Sequence, residues 1–132
     1  MTLKTALVLL AYLLVLLFFS LNPWLHPDSG PAFGDVTWDK IDHALAYSLL
    51  SCLLLFANRQ DQRHAITSLV VLLSCSSLGI LVEYCQLWFT ETRQFSYQDA
   101  LANSIGSAVG VVVFWCVWLL ASRGRKRVIN AA

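Results

Sequence analysis

Four long apolar stretches divide the chain, and shorter polar segments separate them. The stretches run over residues 3–21, 41–57, 66–89 and 100–122. A helix needs about 20 apolar residues to cross about 30 Å of hydrocarbon, because each residue adds about 1.5 Å. None of the stretches alternates apolar and polar positions as a barrel strand does. The pattern therefore predicts an all-α protein, a bundle of four transmembrane helices.

Composition favours a membrane protein over a soluble one. Of the 132 residues, 58% are hydrophobic and 13% are charged, whereas a soluble domain has about 45–50% apolar and about 25% charged residues. The net charge of +1 gives no reason to expect a nucleic-acid partner. The length allows one domain, so we treat residues 1–132 as a single integral membrane domain and exclude a large enzyme with separate lobes.

The first stretch has a competing interpretation, a cleaved signal peptide. Leu3–Phe19 can serve as an apolar signal core behind Lys4. However, no cleavage site of the small-x-small type follows, and the run is long for such a core. We therefore expect this span to remain in the protein.

The basic residues predict the orientation of the chain. With a cytoplasmic N-terminus, two basic residues, Lys40 and Arg93, lie outside. The other seven then lie inside: Lys4, Arg59, Arg63, Arg123, Arg125, Lys126 and Arg127. Cytoplasmic segments carry an excess of Lys and Arg. Both termini are therefore predicted to be cytoplasmic, and the first and third connecting segments extracytoplasmic.

Under this topology, polar residues of three spans fall at one face of the membrane. The second span begins there with Asp39, His43 and Tyr47 at steps of four, so these residues share one side of a helix. Similar stripes lie at the end of the third span and the start of the fourth. They comprise Ser76, Gly79, Glu83, Gln86 and Thr90, and then Asp99, Asn103, Gly106 and Gly110. We expect the stripes to meet.

Glu83 is the most informative single residue. It lies six residues before Phe89, which is about 9 Å along a helix axis. An acid inside a membrane costs a few kcal/mol, and it normally faces the bundle interior or a wet cavity. One interpretation is a half-buried pocket at the outer face, and the other is a polar clasp that only joins helices.

Other local patterns predict structure rather than chemistry. Gly106-x-x-x-Gly110 is a small-residue pattern typical of close helix contact, within the chain or between copies. Ser96-x-x-Asp99 fits a capping box. His64 is expected to be an exposed loop residue. The cysteines lie within spans without a Cys-x-x-Cys pair, so we expect neither a disulfide nor a thiolate metal site. They are Cys52, Cys75, Cys85 and Cys116.

At these polar residues the chain resembles the VanZ-like family of small bacterial membrane proteins. The matching text is Asp39-Lys40-x-x-His43-x-x-x-Tyr47, Glu83-x-x-Gln86, Arg93, and Asp99-x-x-x-Asn103-x-x-Gly106-x-x-x-Gly110. The chain departs from the family at Glu91-Thr92, where a Pro-Gly turn is frequent. The resemblance implies a multi-pass protein of the bacterial inner membrane. The founding member is associated with glycopeptide resistance, to teicoplanin especially, but the family implies no agreed reaction.

The resemblance also implies a set of ligand-binding residues. They are Asp39, Lys40, His43, Glu83, Gln86, Arg93, Asp99 and Asn103, with Gly106 and Gly110 kept for helix packing.

Three functions remain open. The first is binding of a polar lipid headgroup or a lipid-linked cell-wall precursor at the outer leaflet, with Arg93 and Lys40 on phosphate. The second is an intramembrane acid–base or metal-assisted enzyme, with His43, Glu83 and Asp99 as catalytic candidates. The third is a structural or assembly role. We favour the first, with membrane lipids as partners, and we assign no resident metal or cofactor; the oligomeric state stays open.

Overall fold

The computed structural model describes residues 2–22, 31–33, 36–60, 64–90 and 94–130. In chain order its elements are α1 (Leu3–Leu21), β1 (Pro31–Phe33), β2 (Val36–Thr37), α2 (Trp38–Ala57), α3 (His64–Phe89) and α4 (Tyr97–Asn130). Each helix is long and apolar enough to cross a membrane, and the membrane-compatible part of α4 ends at Arg123. The predicted all-α architecture of four helices, each able to span a membrane, is thereby confirmed, while the cytoplasmic placement of the termini stays a prediction.

Three helices begin earlier than the apolar runs predict. α2 begins at Trp38 rather than at 41, α3 at His64 rather than at 66, and α4 at Tyr97 rather than at 100. The first turn of a helix has free N–H groups that favour polar and acidic side chains, so hydropathy alone misplaces its start. In α4 the Asp99 N–H donates to Ser96 Oγ at 3.2 Å, the cap that the Ser96-x-x-Asp99 spacing predicts.

The last helix is also longer than its apolar run. It continues from 122, the predicted end, to Asn130. The added segment is rich in Arg and Lys, which are good helix formers and are stabilised near a helix C-terminus. Loss of hydrophobicity therefore marks the end of the span and not the end of the helix.

A small antiparallel hairpin precedes α2. β1 and β2 pair with Pro31 opposite Thr37 and Phe33 opposite Val36. The hairpin delivers the chain directly into α2, because β2 ends at Thr37 and the helix begins at the next residue.

Close contact between α2 and α4 organises the bundle. A Cβ added to Gly106 would overlap the carbonyl oxygen of Ala44. One added to Gly110 would overlap the carbonyl oxygen of Ser48. Backbones approach this closely only where the side chain is a hydrogen atom. The predicted Gly-x-x-x-Gly contact therefore lies within the chain, between α4 and α2.

Apolar side chains from α1, α2 and α3 form the core beside this contact. The core contains Leu16, Tyr47, Leu50, Leu55, Val71 and Cys75. Tyr12 ties α1 to α2, because its hydroxyl donates to the Ala46 carbonyl at 2.7 Å. Many large apolar side chains on the outside, such as Leu14 and Val112, remain exposed. Hydrocarbon covers such faces at no cost, as expected for a multi-pass membrane protein.

Candidate functional site

Polar side chains from three helices lie together where α2 and α4 begin and α3 ends. We call this group the polar cluster: Asp39, Lys40, His43, Glu83, Gln86, Asp99 and Asn103. Five of its members are at most 9% exposed, namely His43, Glu83, Gln86, Asp99 and Asn103. Ionisable groups buried inside a membrane bundle are costly, and they commonly mark a binding site or pathway.

His43 lies at the centre of the polar cluster. Its Nδ1 is 3.0 Å from Asn103 Oδ1 and 4.0 Å from Glu83 Oε1. Its Nε2 lies on the other side of the ring, 3.8 Å from Asp39 Oδ1. Asn103 Oδ1 accepts this hydrogen bond in the tautomer that carries its proton on Nδ1. In that tautomer the Nε2 lone pair lies on the side of Asp39.

Lys40 and Asp99 form an ion pair at the edge of the cluster. Lys40 Nζ is 3.6 Å from Asp99 Oδ1, and it donates a hydrogen bond to Thr37 Oγ1 at 3.2 Å. A separation of 3.6 Å is longer than a hydrogen bond. Both side chains are mostly buried, with 21% of Lys40 and 13% of Asp99 exposed, so the two charges face each other at the rim of the cluster without a direct hydrogen bond.

Three members of the cluster have the spacing of metal ligands. One ligand atom from each of Asp39, His43 and Asp99 lies within 4.8 Å of the other two. Asp39 and His43 come from successive turns of α2, and Asp99 comes from the first turn of α4. The α2–α4 contact at Gly106 brings these two helix starts together.

Glu83 is fully buried and faces the helices, as its position within a span predicts. Space beside it depends on Gly79, one turn earlier on α3. A Cβ added to Gly79 would lie 2.7 Å from Asn103 Cβ. A hydrogen atom at Gly79 therefore lets Asn103 enter between α3 and α2 and reach His43.

Gln86 makes a contact that joins helices. Its Nε2 donates to the Ser20 carbonyl at 2.9 Å, which links the end of α3 to the end of α1. Thr90 Oγ1 in turn donates to the Gln86 carbonyl at 2.7 Å. The side-chain nitrogen of Gln86 is thus engaged in holding α1 against the bundle.

Arg93, the remaining predicted ligand-binding residue, lies outside the described residues. The neighbouring Glu91 and Thr92, where the sequence departs from the family pattern, lie outside them as well.

Two buried hydroxyl groups were not singled out by the sequence. Ser51 and Ser107 are fully buried. Ser51 Oγ donates to the Tyr47 carbonyl, and Ser107 Oγ donates to the Asn103 carbonyl, each at 2.8 Å. Each serine lies one turn after a residue of a predicted polar stripe. Extending the stripes by four residues would have found both.

An amphipathic cavity of about 240 Å³ lies between α1 and α2, beside the polar cluster. His43 lines it and so belongs to both the cluster and the cavity. Its other polar lining residues are Ser20, Asp42 and Tyr47, and its apolar wall consists of Val15, Leu16, Phe19 and Ala46, with Tyr12 beside them. A space with one polar edge and one apolar wall suits a molecule that has both kinds of surface.

His64 lies at the opposite end of the bundle, and its predicted place in an exposed loop is wrong. It begins α3, and its ring lies 5.4 Å from that of Trp115 and 5.7 Å from that of Trp118. The ring is half-buried because α4 passes beside the start of α3. This packing depends on two helices and leaves no local pattern in the sequence.

Comparison of the chain with protein-family models, with curated proteins and with solved structures gives no match. The VanZ-like resemblance therefore stays a prediction. The functional argument depends on the geometry of the polar cluster and of the cavity beside it.

Proposed function

We propose that this chain is a VanZ-like integral membrane protein of the bacterial inner membrane that binds a phosphate-bearing lipid headgroup. The headgroup belongs to a membrane phospholipid or to a lipid-linked cell-wall precursor, and it is taken from the extracytoplasmic leaflet. One observation carries the proposal: the buried polar cluster adjoins an amphipathic cavity, and His43 belongs to both.

The cavity has the chemistry of a lipid fragment. Its polar edge, near His43 and Ser20, suits a headgroup, and its wall of Leu16 and Phe19 suits the first part of an acyl or prenyl chain. Its volume of about 240 Å³ is below the roughly 300–1,000 Å³ of pockets for drug-sized ligands. It therefore fits the junction of headgroup and chain, while the remaining chain lies in the bilayer.

Lys40 provides a cation for phosphate. Its present partner, Asp99, is held at 3.6 Å without a hydrogen bond, and both side chains are partly exposed. The ammonium group therefore has room for a phosphate oxygen beside Asp99, with which it could form a charge-assisted hydrogen bond. Arg93 adds a second cation in the proposal, through its place in the family-like pattern.

A structural clasp is the second candidate, and two contacts favour it. The hydrogen bond from His43 to Asn103 joins α2 to α4, and the bond from Gln86 to Ser20 joins α3 to α1. In a clasp these contacts hold the helices together and no ligand is needed. The experiments below are chosen so that the two functions give different results.

The first experiment removes the two cations of the proposal. The protein is purified in mild detergent and its retained lipids are measured by mass spectrometry, with phospholipids and undecaprenyl-type phosphates counted separately. We expect Lys40→Ala and Arg93→Ala to lower the retained phosphate-bearing lipid several-fold. Arg59→Ala is the matched control, because it removes a cation at the far end of α2 from Lys40, where Arg59 lies over the Phe56 ring. Unchanged retention in both Lys40→Ala and Arg93→Ala would contradict the proposal.

The second experiment fills the cavity and leaves the polar cluster intact. Ala46→Leu adds apolar volume to the cavity wall, and the side chain of Ala46 makes none of the polar contacts described above. We expect less retained lipid with an unfolding midpoint at or above that of the wild type. A clasp predicts instead that filling the cavity leaves lipid retention unchanged.

A link to teicoplanin resistance is part of the proposal. Alanine variants at the eight predicted ligand-binding positions are compared for membrane abundance and for teicoplanin susceptibility of the host cell. Loss of resistance at normal abundance would support a site. A loss of resistance that parallels the loss of membrane abundance at every position would support the clasp and count against a binding function.

A further inference from the structure

We infer that Asp39, His43 and Asp99 together bind a divalent transition-metal ion. One part of this inference rests on the proposed function: the ion also receives a phosphate oxygen of the headgroup. Binding of the ion itself stands on the geometry of the three side chains. It departs from the expectation, based on sequence, that no metal is held.

The three ligand atoms are close to the separation that one ion requires. Ligand atoms bonded to a single ion at about 2.0–2.2 Å lie roughly 3–4.4 Å apart. Here they all lie within 4.8 Å of one another, and His43 Nε2 is 3.8 Å from Asp39 Oδ1. Small rotations of side chains would therefore close the site without moving a helix.

His43 has the environment of a metal-bound imidazole. Its Nδ1 is 3.0 Å from Asn103 Oδ1, with Glu83 Oε1 behind at 4.0 Å. A ligating histidine almost always donates its other ring N–H to such an oxygen, which fixes the ring and makes the free nitrogen more basic. The Nδ1-protonated tautomer is the one the proposal requires, because it leaves a lone pair on Nε2, 3.8 Å from Asp39 Oδ1. This observation is independent of the two carboxylates.

One carboxylate oxygen of the site also calls for a cation. Asp99 Oδ1 is buried and accepts no hydrogen bond from the described part of the chain. Its nearest cation there, Lys40 Nζ, is 3.6 Å away. A divalent ion would give Asp99 Oδ1 a closer partner.

The donor set selects a class of ion. An imidazole nitrogen with two carboxylate oxygens suits Zn²⁺ or Mn²⁺ better than Ca²⁺, which prefers oxygen donors alone. Three protein ligands leave at least one coordination position for a further ligand. A phosphate oxygen at that position explains how a headgroup can bind beside several carboxylates.

The test measures metal binding directly. Full-length protein is freed of metal with a chelator, placed in phosphatidylcholine nanodiscs and titrated with Zn²⁺ by calorimetry and with Mn²⁺ by electron paramagnetic resonance. We expect saturable binding of about one equivalent. His43→Gln and Asp99→Asn should each weaken binding by at least about tenfold, since even loss of an outer-shell partner costs about 10–100-fold.

Two further variants separate a metal site from general electrostatics. Asp42→Asn is the comparison, because it removes a carboxylate from the same turns of α2 at an exposed residue of the cavity rim that is not one of the three ligands. It should weaken binding clearly less than Asp99→Asn does. Lys40→Met should tighten binding several-fold, because it removes a positive charge that lies 3.6 Å from Asp99. A residue with only a structural role would not produce that gain.

The inference fails if the wild-type protein shows no saturable binding, if Asp42→Asn weakens binding as much as Asp99→Asn, or if Lys40→Met gives no gain. Lipid retention with and without the chelator keeps this failure distinct from failure of the proposed function. Retained lipid without metal binding would overturn the proposed metal site and leave the proposed headgroup binding intact. Metal binding without retained lipid would overturn headgroup binding and leave the metal site intact.

Discussion

The two ends of the bundle are held together by different chemistry. Where α2 and α4 begin, the helices enclose carboxylates, an imidazole and amides, with His43 bonded to Asn103 at the centre. At the opposite end α3 and α4 meet through the rings of His64, Trp115 and Trp118. The aromatic end follows the ordinary preference of such rings for a membrane interface. The stability of the bundle does not by itself explain the buried polar groups at the other end.

That difference is what points to a function. Replacing buried charges with apolar groups of similar volume is often neutral or stabilising. A bundle that only had to fold could therefore use aromatic and aliphatic side chains at both ends. Keeping Glu83 fully buried beside His43 makes sense if those groups bind something.

The largest expected effect tests the contact that brings the polar end together. Gly106→Ala places a methyl group against the Ala44 carbonyl, and backbone cannot move aside as a flexible side chain can. We expect a loss of about 3 kcal/mol in the free energy of unfolding, at the upper end of overpacking effects. Unfolding in detergent is followed by circular dichroism. Ala108→Val, at an exposed position of the same helix, is the control, and it should change the free energy of unfolding little. If Gly106→Ala is as stable as the wild type, α2 and α4 can separate without loss of stability.

The next effect tests the polar bond itself. Asn103→Leu removes the acceptor of the His43 Nδ1–H and leaves a buried donor without its partner. We expect a loss of about 2 kcal/mol, the usual cost of an unsatisfied buried group. The same unfolding measurement on Ser104→Ala serves as control, because that hydroxyl donates to the Ala100 carbonyl one turn earlier in its own helix. Wild-type stability in Asn103→Leu would mean that the polar end needs no internal pairing.

The smallest effect belongs to the aromatic end. Trp115 Nε1 donates to Ser68 Oγ at 3.0 Å, joining α4 to α3. A double-mutant cycle of Trp115→Phe and Ser68→Ala should give a coupling of about 0.6 kcal/mol, the average for hydrogen bonds between membrane helices. A coupling as large as the loss in Asn103→Leu would erase the contrast between the two ends.

Much of the fold could be predicted because its signals are local. Apolar runs of sufficient length predict spanning helices, and the end predicted for α2, at 57, and for α3, at 89, is the observed one. The stripes through His43, Glu83 and Asn103 predict which side of each helix faces inward, since side chains three and four residues apart share a face. Burial of these three residues follows the stripes.

Other features required the assembled bundle. Helical periodicity states which residues share a face, but not how far one helix is rotated or shifted against another. Only the packing decided that Asn103 bonds His43, and that Gly106 and Gly110 contact α2 of the same chain. The link from Gln86 to a backbone carbonyl of α1 has no side-chain signal at all.

The amino-acid sequence by itself thus determined that the chain has four helices long and apolar enough to cross a membrane, and that three of them keep costly polar groups on their inward faces. Hydrophobic length and the 3.6-residue period are properties of a single helix, and they are readable without neighbours. The tertiary structure decided that Asp39, His43 and Asp99 meet within 4.8 Å and that a cavity opens beside them. Those arrangements depend on the relative position of helices, which close packing at Gly106 sets.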